Sequence, residues 1–224
     1  MDFNIQVISI NKKRQEKYDG RYNIFQGVVG SQLPKDILDK YHTRWNAQDV
    51  VKYFVAGCSE SHLKLLRYII QNDLKNVIVL EDDTLINWKR LEEYKDILLS
   101  QNEFVYLGGL LRPKVLKHWT KSFDKDKIRH TFNQGMNTID TENYYLSGAY
   151  GYYIPNKNVA EKILSLIPYG KKHRAIDVEY INLQKKGVIK KLMYPACAIF
   201  HSDANTGFTA KRYKTIILDD GSFL

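Results

Sequence analysis

Residues 76–86 read NVIVLEDDTLI, four apolar residues (Val77, Ile78, Val79, Leu80) running directly into three carboxylates, Glu81, Asp82 and Asp83. A short apolar, β-branched run bounded by polar residues predicts a strand buried on both faces, which in turn requires helices above and below a sheet. Charge stacked at the end of such a strand is expensive unless something offsets it. In open parallel α/β sheets, ligands gather at the carboxyl ends of the strands, and this strand ends in oxygen donors. Hard ligands of this type suit Mg²⁺ or Mn²⁺, ions that also bridge the phosphates of a nucleotide diphosphate. The competing reading is an acidic turn leading into the next helix, near Trp88, where carboxylates favour the positive end of the dipole.

The rest of the pattern supports an α/β fold. Residues 5–10 read as a first strand, 50–57 as mixed, and 59–73 as a helix with Ser59 as N-cap and Leu63, Leu66, Ile69 and Ile70 on one face. A helix over 88–100 and a strand over 104–109 follow the central strand, giving βαβ units and a mostly parallel sheet. Residues 111–143 are polar and weakly periodic and read as a long loop. Order returns with a strand-like aromatic segment over 143–155, helices over 156–168 and 176–187 (the second closed by Gly187), and strand material over 188–200. With 224 residues, 44% of them hydrophobic, one domain is expected.

Composition excludes several classes. Cys58 and Cys197 are far apart and have no CxxC partner, so neither a disulfide framework nor a zinc cluster is expected, and both read as buried small apolar residues. The N-terminal stretch lacks a signal peptide's apolar core and no run is long enough to span a membrane, which points to a cytoplasmic protein. The net charge of +9 is uneven: residues 1–110 carry 15 Lys and Arg against 15 Asp and Glu, and residues 111–224 carry 19 against 10. The basic excess, with clusters at Lys171, Lys172 and Arg174, at Lys185, Lys186, Lys190 and Lys191, and at Lys211, Arg212 and Lys214, reads as a solvated surface or as a patch for a polyanion.

The order GCSESH (57–62), amphipathic helix, VIVLEDD resembles glycosyltransferase family 25, the lipopolysaccharide and collagen sugar transferases. The segments VISINKKRQEKY, FVYLGG, LSGAYGYYIPNKNVAEKIL, AIDVEYINL and MYPACAIFHSD resemble further family elements in the same order, from about residue 4 to residue 203. The resemblance implies a GT-A-like single domain, a mostly parallel central sheet flanked by helices, in which residues 1–110 form the donor half and 111–224 a basic acceptor half. It implies a nucleotide-sugar donor, most simply a UDP-sugar, and Mn²⁺ or Mg²⁺ at an EDD motif. Asp83 is then the metal ligand and His201 a second one, with Glu81 and Asp82 toward the ribose or the metal's waters. Asn11 and Arg14 in the opening loop, and Ser61 and His62 at the start of a helix, are the further donor contacts. Charge develops on the leaving diphosphate, which a cation and nearby basic groups stabilise.

Transfer with inversion also needs a base within reach of the acceptor hydroxyl. Asp177 and Glu179 are the candidates, and both also read as first-turn carboxylates of a helix. For the acceptor, the basic half with interleaved tyrosines (Tyr144, Tyr145, Tyr150, Tyr152, Tyr153, Tyr169) favours hydroxymethylated or glycosylated DNA, as in some bacteriophages, slightly over a phosphorylated lipopolysaccharide core glycan. Tyrosines at strand spacing are also ordinary core residues. Two other classes stay open here, a metal-dependent nuclease and a non-catalytic DNA-binding module.

Overall fold

The computed structural model describes residues 2–41, 49–113, 132–168, 174–200 and 216–217. The α/β expectation holds. Strands β1 (Asn4–Ser9), β2 (Asn23–Gln26), β3 (Val77–Glu81), β5 (Val105–Tyr106), β7 (Gly135–Thr138), β9 (Gly151–Ile154) and β10 (Lys191–Tyr194) form a seven-stranded sheet in the order β2-β1-β3-β9-β5-β10-β7. β1 pairs in parallel with β2 and β3, and β5 in parallel with β10, while β9 runs antiparallel to β3 and β5 and β7 antiparallel to β10. Smaller sheets join β4 (Thr84–Ile86) to β11 (Ala198–Phe200), and β6 (Leu110–Pro113) to β8 (Tyr144–Ser147) and β12 (Ile216–Ile217).

The alternation of side chains along each strand divides the core in two. Val77 and Val79 of β3 and Tyr152 of β9 face one core, packed with Leu63, Leu66 and Ile69 of α3 (Asp49–Gln71), Ile163 of α6 (Lys157–Leu166) and Tyr180 of α7 (Ile176–Lys185). Ile78, Leu80 and Tyr153 face the other, packed with Leu91 of α4 (Trp88–Glu93) and Leu98 of α5 (Lys95–Leu99). Both faces of β3 are therefore covered, as its unbroken apolar run requires.

Several local expectations change. Residues 50–57 and 59–71 belong to one 23-residue helix, α3, so Ser59, Ser61 and His62 lie mid-helix and Ser59 is no N-cap. Gly57 does not break that helix. Its missing side chain admits another backbone: a Cβ there would sit 2.8 Å from both Gly30 N and Val28 O, and one at Gly30 would sit 1.8 Å from Tyr53 O. The 88–100 helix is two, α4 and α5, joined at Tyr94, and Asn87 caps α4 by accepting from Arg90 N at 3.2 Å. The aromatic segment 143–155 is two strands in different sheets, separated at Gly148, whose φ of +90° a side chain would strain. Within 111–143, β7 adds an edge strand that its polar sequence, GMNT, conceals.

Candidate active site at the carboxyl end of the first and third strands

Parallel pairing of β1 with β3, with Ile8 opposite Glu81, brings the carboxyl ends of both strands together. After β1 the chain turns into α1 (Lys12–Gln15), capped by Asn11, whose side chain accepts from Arg14 N at 3.3 Å. That cap directs Arg14 back over the strand ends. Its Nη1 lies 2.6 Å from Asp82 Oδ1, and Ser9 Oγ donates to Asp82 Oδ2 at 2.7 Å. Tyr18 OH donates to the carbonyl of Thr84 at 2.8 Å and so fastens the acidic turn between β3 and β4.

The neighbouring carboxylates are placed differently. Glu81 continues the side-chain alternation of Val77 and Val79 toward α3, where its Oε1 lies 3.2 Å from His62 Nε2 and 3.6 Å from Cys58 Sγ. His62 is fully buried, and its Nδ1 lies 2.7 Å from Tyr152 OH, which accepts from Tyr180 OH at 3.3 Å. Asp83 is the carboxylate whose charge is least matched. Burial and the charges of Glu81 and Asp82 push its pKa up to about 7, with Arg14 opposing.

The third component comes from α7. Ser59 Oγ accepts from Ile176 N at 3.0 Å and donates to the carbonyl of Arg174 at 3.5 Å, fixing the start of α7 against α3. Asp177, in the first turn, is thereby close enough to the acidic cluster for its charge to help hold the Cys58 thiol well above its usual range, after burial and Glu81. Glu179 is buried, and its Oε2 accepts from Asn182 Nδ2 at 3.2 Å. Gln184, also buried, donates to Tyr106 OH and Leu146 O and accepts from Leu146 N, tying α7 to β8.

The structure thus brings Asn11, Arg14, Glu81, Asp82, Asp83 and Asp177 into one region. Ser61 is used otherwise: its Oγ donates to the carbonyl of Gly57 at 2.6 Å and accepts from Val28 N at 2.7 Å, holding the segment after β2 against α3. Mid-helix, neither Ser61 nor His62 can offer a helix N-terminus to a ligand. His201 lies outside the described residues. Cys58 is half-buried, packed against the apolar core with its Sγ 3.6 Å from Glu81 Oε1, whereas Cys197 is buried among apolar groups as expected. Cys58 carries no ligand role in the sequence reading; the signal for one is its spacing of four from His62, visible once the helix is known to be continuous.

Among the described residues no helix is long and apolar enough to cross a membrane. Tyr150, Tyr152 and Tyr153 are core residues, so they are not a base-stacking surface; Tyr169 lies outside the described residues. Of the basic positions, Arg174, Lys185 and Lys186 are exposed, Lys190 pairs with Glu103 at 3.3 Å, and Lys171, Lys172, Lys211, Arg212 and Lys214 fall outside the described residues.

No curated protein matches the chain. A family model described as Glycosyltransferase family 25 (LPS biosynthesis protein) matches residues 6–178, a span that starts in β1, contains the whole acidic turn and ends just after Asp177. On that match, which covers most of the chain, the protein belongs to glycosyltransferase family 25.

Proposed function

We propose that the protein transfers a sugar from a nucleotide-sugar, most simply a UDP-sugar, to a hydroxyl of a polyanionic acceptor, with residues 1–110 forming the donor half and 111–224 the acceptor half. The observation that carries this reading is the meeting of three elements at the carboxyl ends of two interior strands: the β1 end with Arg14, the β3 end with Asp83, and the start of α7 with Asp177. Asp83 fits a hard cation, because this half-buried carboxylate is crowded by two others and Arg14, bonded to Asp82, offsets their charge only in part. A bound Mn²⁺ or Mg²⁺ would neutralise charge developing on the diphosphate leaving group.

The chain's own groups supply the rest. Asp82 holds Arg14 at the strand end, where a guanidinium favours departure of a diphosphate. Asn11 keeps α1 in the orientation that allows this. Asp177 takes the proton from the acceptor hydroxyl; Glu179, buried and bonded to Asn182, supports the helix instead. Glu81 is assigned to the ribose or the cation's waters, and His201 to a second cation ligand. The acceptor we favour is a phosphorylated glycan of the lipopolysaccharide kind, from the family description and the exposed Arg174, Lys185 and Lys186 near both ends of α7. Burial of Tyr150, Tyr152 and Tyr153 takes three of the six named tyrosines away from base stacking and so weakens the support for a DNA acceptor.

The test is transfer of labelled sugar in the presence of Mn²⁺, from a panel of UDP-sugars, onto phosphorylated lipopolysaccharide core, hydroxymethylated DNA and unmodified DNA. Label on the glycan, with release of UDP, is expected. Label on hydroxymethylated DNA alone would overturn the acceptor, and phosphodiester cleavage without sugar transfer would overturn the transferase reading.

A further inference from the structure

We infer that Cys58, His62 and Glu81 form a second cation site, selective for a borderline-soft divalent ion of the zinc class and distinct from the hard-ion position at Asp83. The three ligand atoms, Sγ, Nε2 and Oε1, lie within 4.8 Å of one another. The fold brings them together by two simple periodicities. Cys58 and His62 are four residues apart on α3 and so share a helix face, and Glu81 follows Val77 and Val79 onto the strand face turned toward that helix.

The separations suit coordination. Bonds of about 2.0–2.3 Å to N, O and S in a tetrahedron place neighbouring ligand atoms roughly 3.3–3.7 Å apart. Here Nε2 is 3.2 Å and Sγ 3.6 Å from Oε1. The outer groups suit it as well. A metal-bound imidazole is normally oriented through its other nitrogen, and His62 Nδ1 faces Tyr152 OH at 2.7 Å, backed by Tyr180. Both hydroxyls can reverse, so Nδ1 donates to Tyr152 once Nε2 is given to a cation.

Chemistry sets the selectivity. A thiol and an imidazole are poor ligands for Mg²⁺ and good ones for Zn²⁺ or Co²⁺. The site is reachable, with the Glu81 side chain 29% exposed and Cys58 half-buried. A cysteine thiol ligates a cation as its thiolate. Binding therefore exchanges a proton for the cation: the S–H bond breaks, an S–metal bond forms, and the proton leaves to solvent. Three protein ligands leave one tetrahedral position for water. The site needs neither the sugar donor nor the acceptor, so it stands apart from the transferase reading.

The experiment titrates the full chain, freed of metal by EDTA and dialysis, with Co²⁺ alone and with Zn²⁺ alone. The expected result is a stoichiometric sulfur-to-cobalt charge-transfer band in the near ultraviolet, displaced by Zn²⁺, with proton release and a higher Tm. Cys58→Ser should abolish the band and Cys197→Ser should retain it, with thermal melting confirming that each variant is folded. His62→Ala or Glu81→Gln should weaken Co²⁺ binding by about 10–100-fold. Absence of the band in the unmodified protein at saturating Co²⁺, or its survival in Cys58→Ser, overturns the site and leaves the cluster as a hydrogen-bonded network.

Discussion

On the β1 side of the acidic turn, Asp82 has an arginine at 2.6 Å and a serine hydroxyl at 2.7 Å, so its charge is matched and both oxygens are occupied. On the other side, Glu81 meets an imidazole and a thiol, and Asp83 has no such pairing and is pushed up to about 7. Three consecutive residues of one type have thus been given different surroundings by strand alternation and by the turn that follows. The matched side is built to hold its shape, and the unmatched side stores a demand for positive charge. On the proposed reading Asp82 is therefore the scaffold of the motif and Asp83 the ligand that a cation would take.

Removing the demand should have the largest effect. Asp83→Asn is expected to lower Mn²⁺-dependent sugar transfer by about 10³-fold or more while the fold survives; near-normal turnover of a folded variant would erase the distinction between the two sides. Next comes the α7 side: Asp177→Asn should reduce transfer by roughly 10² to 10⁴-fold with donor affinity almost unchanged, since a base acts on the acceptor proton. A parallel loss of donor affinity would move Asp177 out of that role.

Stability without metal sharpens the comparison further. The folded pKa of Asp83, about 7, exceeds its ordinary value of 3.8, so the folded state holds the extra proton between those values and stability falls as pH rises through that window. With EDTA present, Asp83→Asn should therefore match the parent near pH 3 and exceed it near pH 8, by on the order of 2 to 4 kcal/mol. A pH-independent difference would contradict the crowding. On the matched side the sign reverses: Arg14→Met should destabilise by about 1–2 kcal/mol at neutral pH, measured by urea unfolding, and should raise the Asp83 pKa further. The smallest effect belongs to Ser59→Ala, about 1 kcal/mol, because it frees one backbone N–H at the start of α7. Hydrogen exchange at Ile176 should rise, and unchanged exchange would mean that α7 is placed by its apolar face alone.

The sequence announced some of this directly. An unbroken run of Val77 to Leu80 announced a strand covered on both faces, and periodicity marked α6 and α7 well. What it hid were pairings decided at a distance. Gly57 reads locally as a helix breaker, because the backbone it admits is 27 residues away at Gly30. Ser59 reads as a cap, because its partner at Ile176 is invisible before folding. The polar strand Gly135–Thr138 has no hydrophobic signature, since it lies at the sheet edge. Within the motif, which carboxylate meets Arg14 depended on the register of β1 against β3, which no count of local charges supplies.

The contact between Gly30 and Gly57 carries a consequence for anyone who surveys this chain by substitution. Neither residue has a positive φ, so their intolerance is purely a matter of space: a single methyl group at position 30 would occupy the place of the Tyr53 carbonyl. In a saturation screen scored by sugar transfer, both positions would therefore register as severe losses, indistinguishable from Asp83 in the raw score. The yield of folded chain separates them, because a glycine variant fails before a site exists, whereas Asp83→Asn accumulates as intact, inactive protein. An activity map of this enzyme is consequently two maps overlaid, one of chemistry and one of clearance, and only the first outlines where the donor lies.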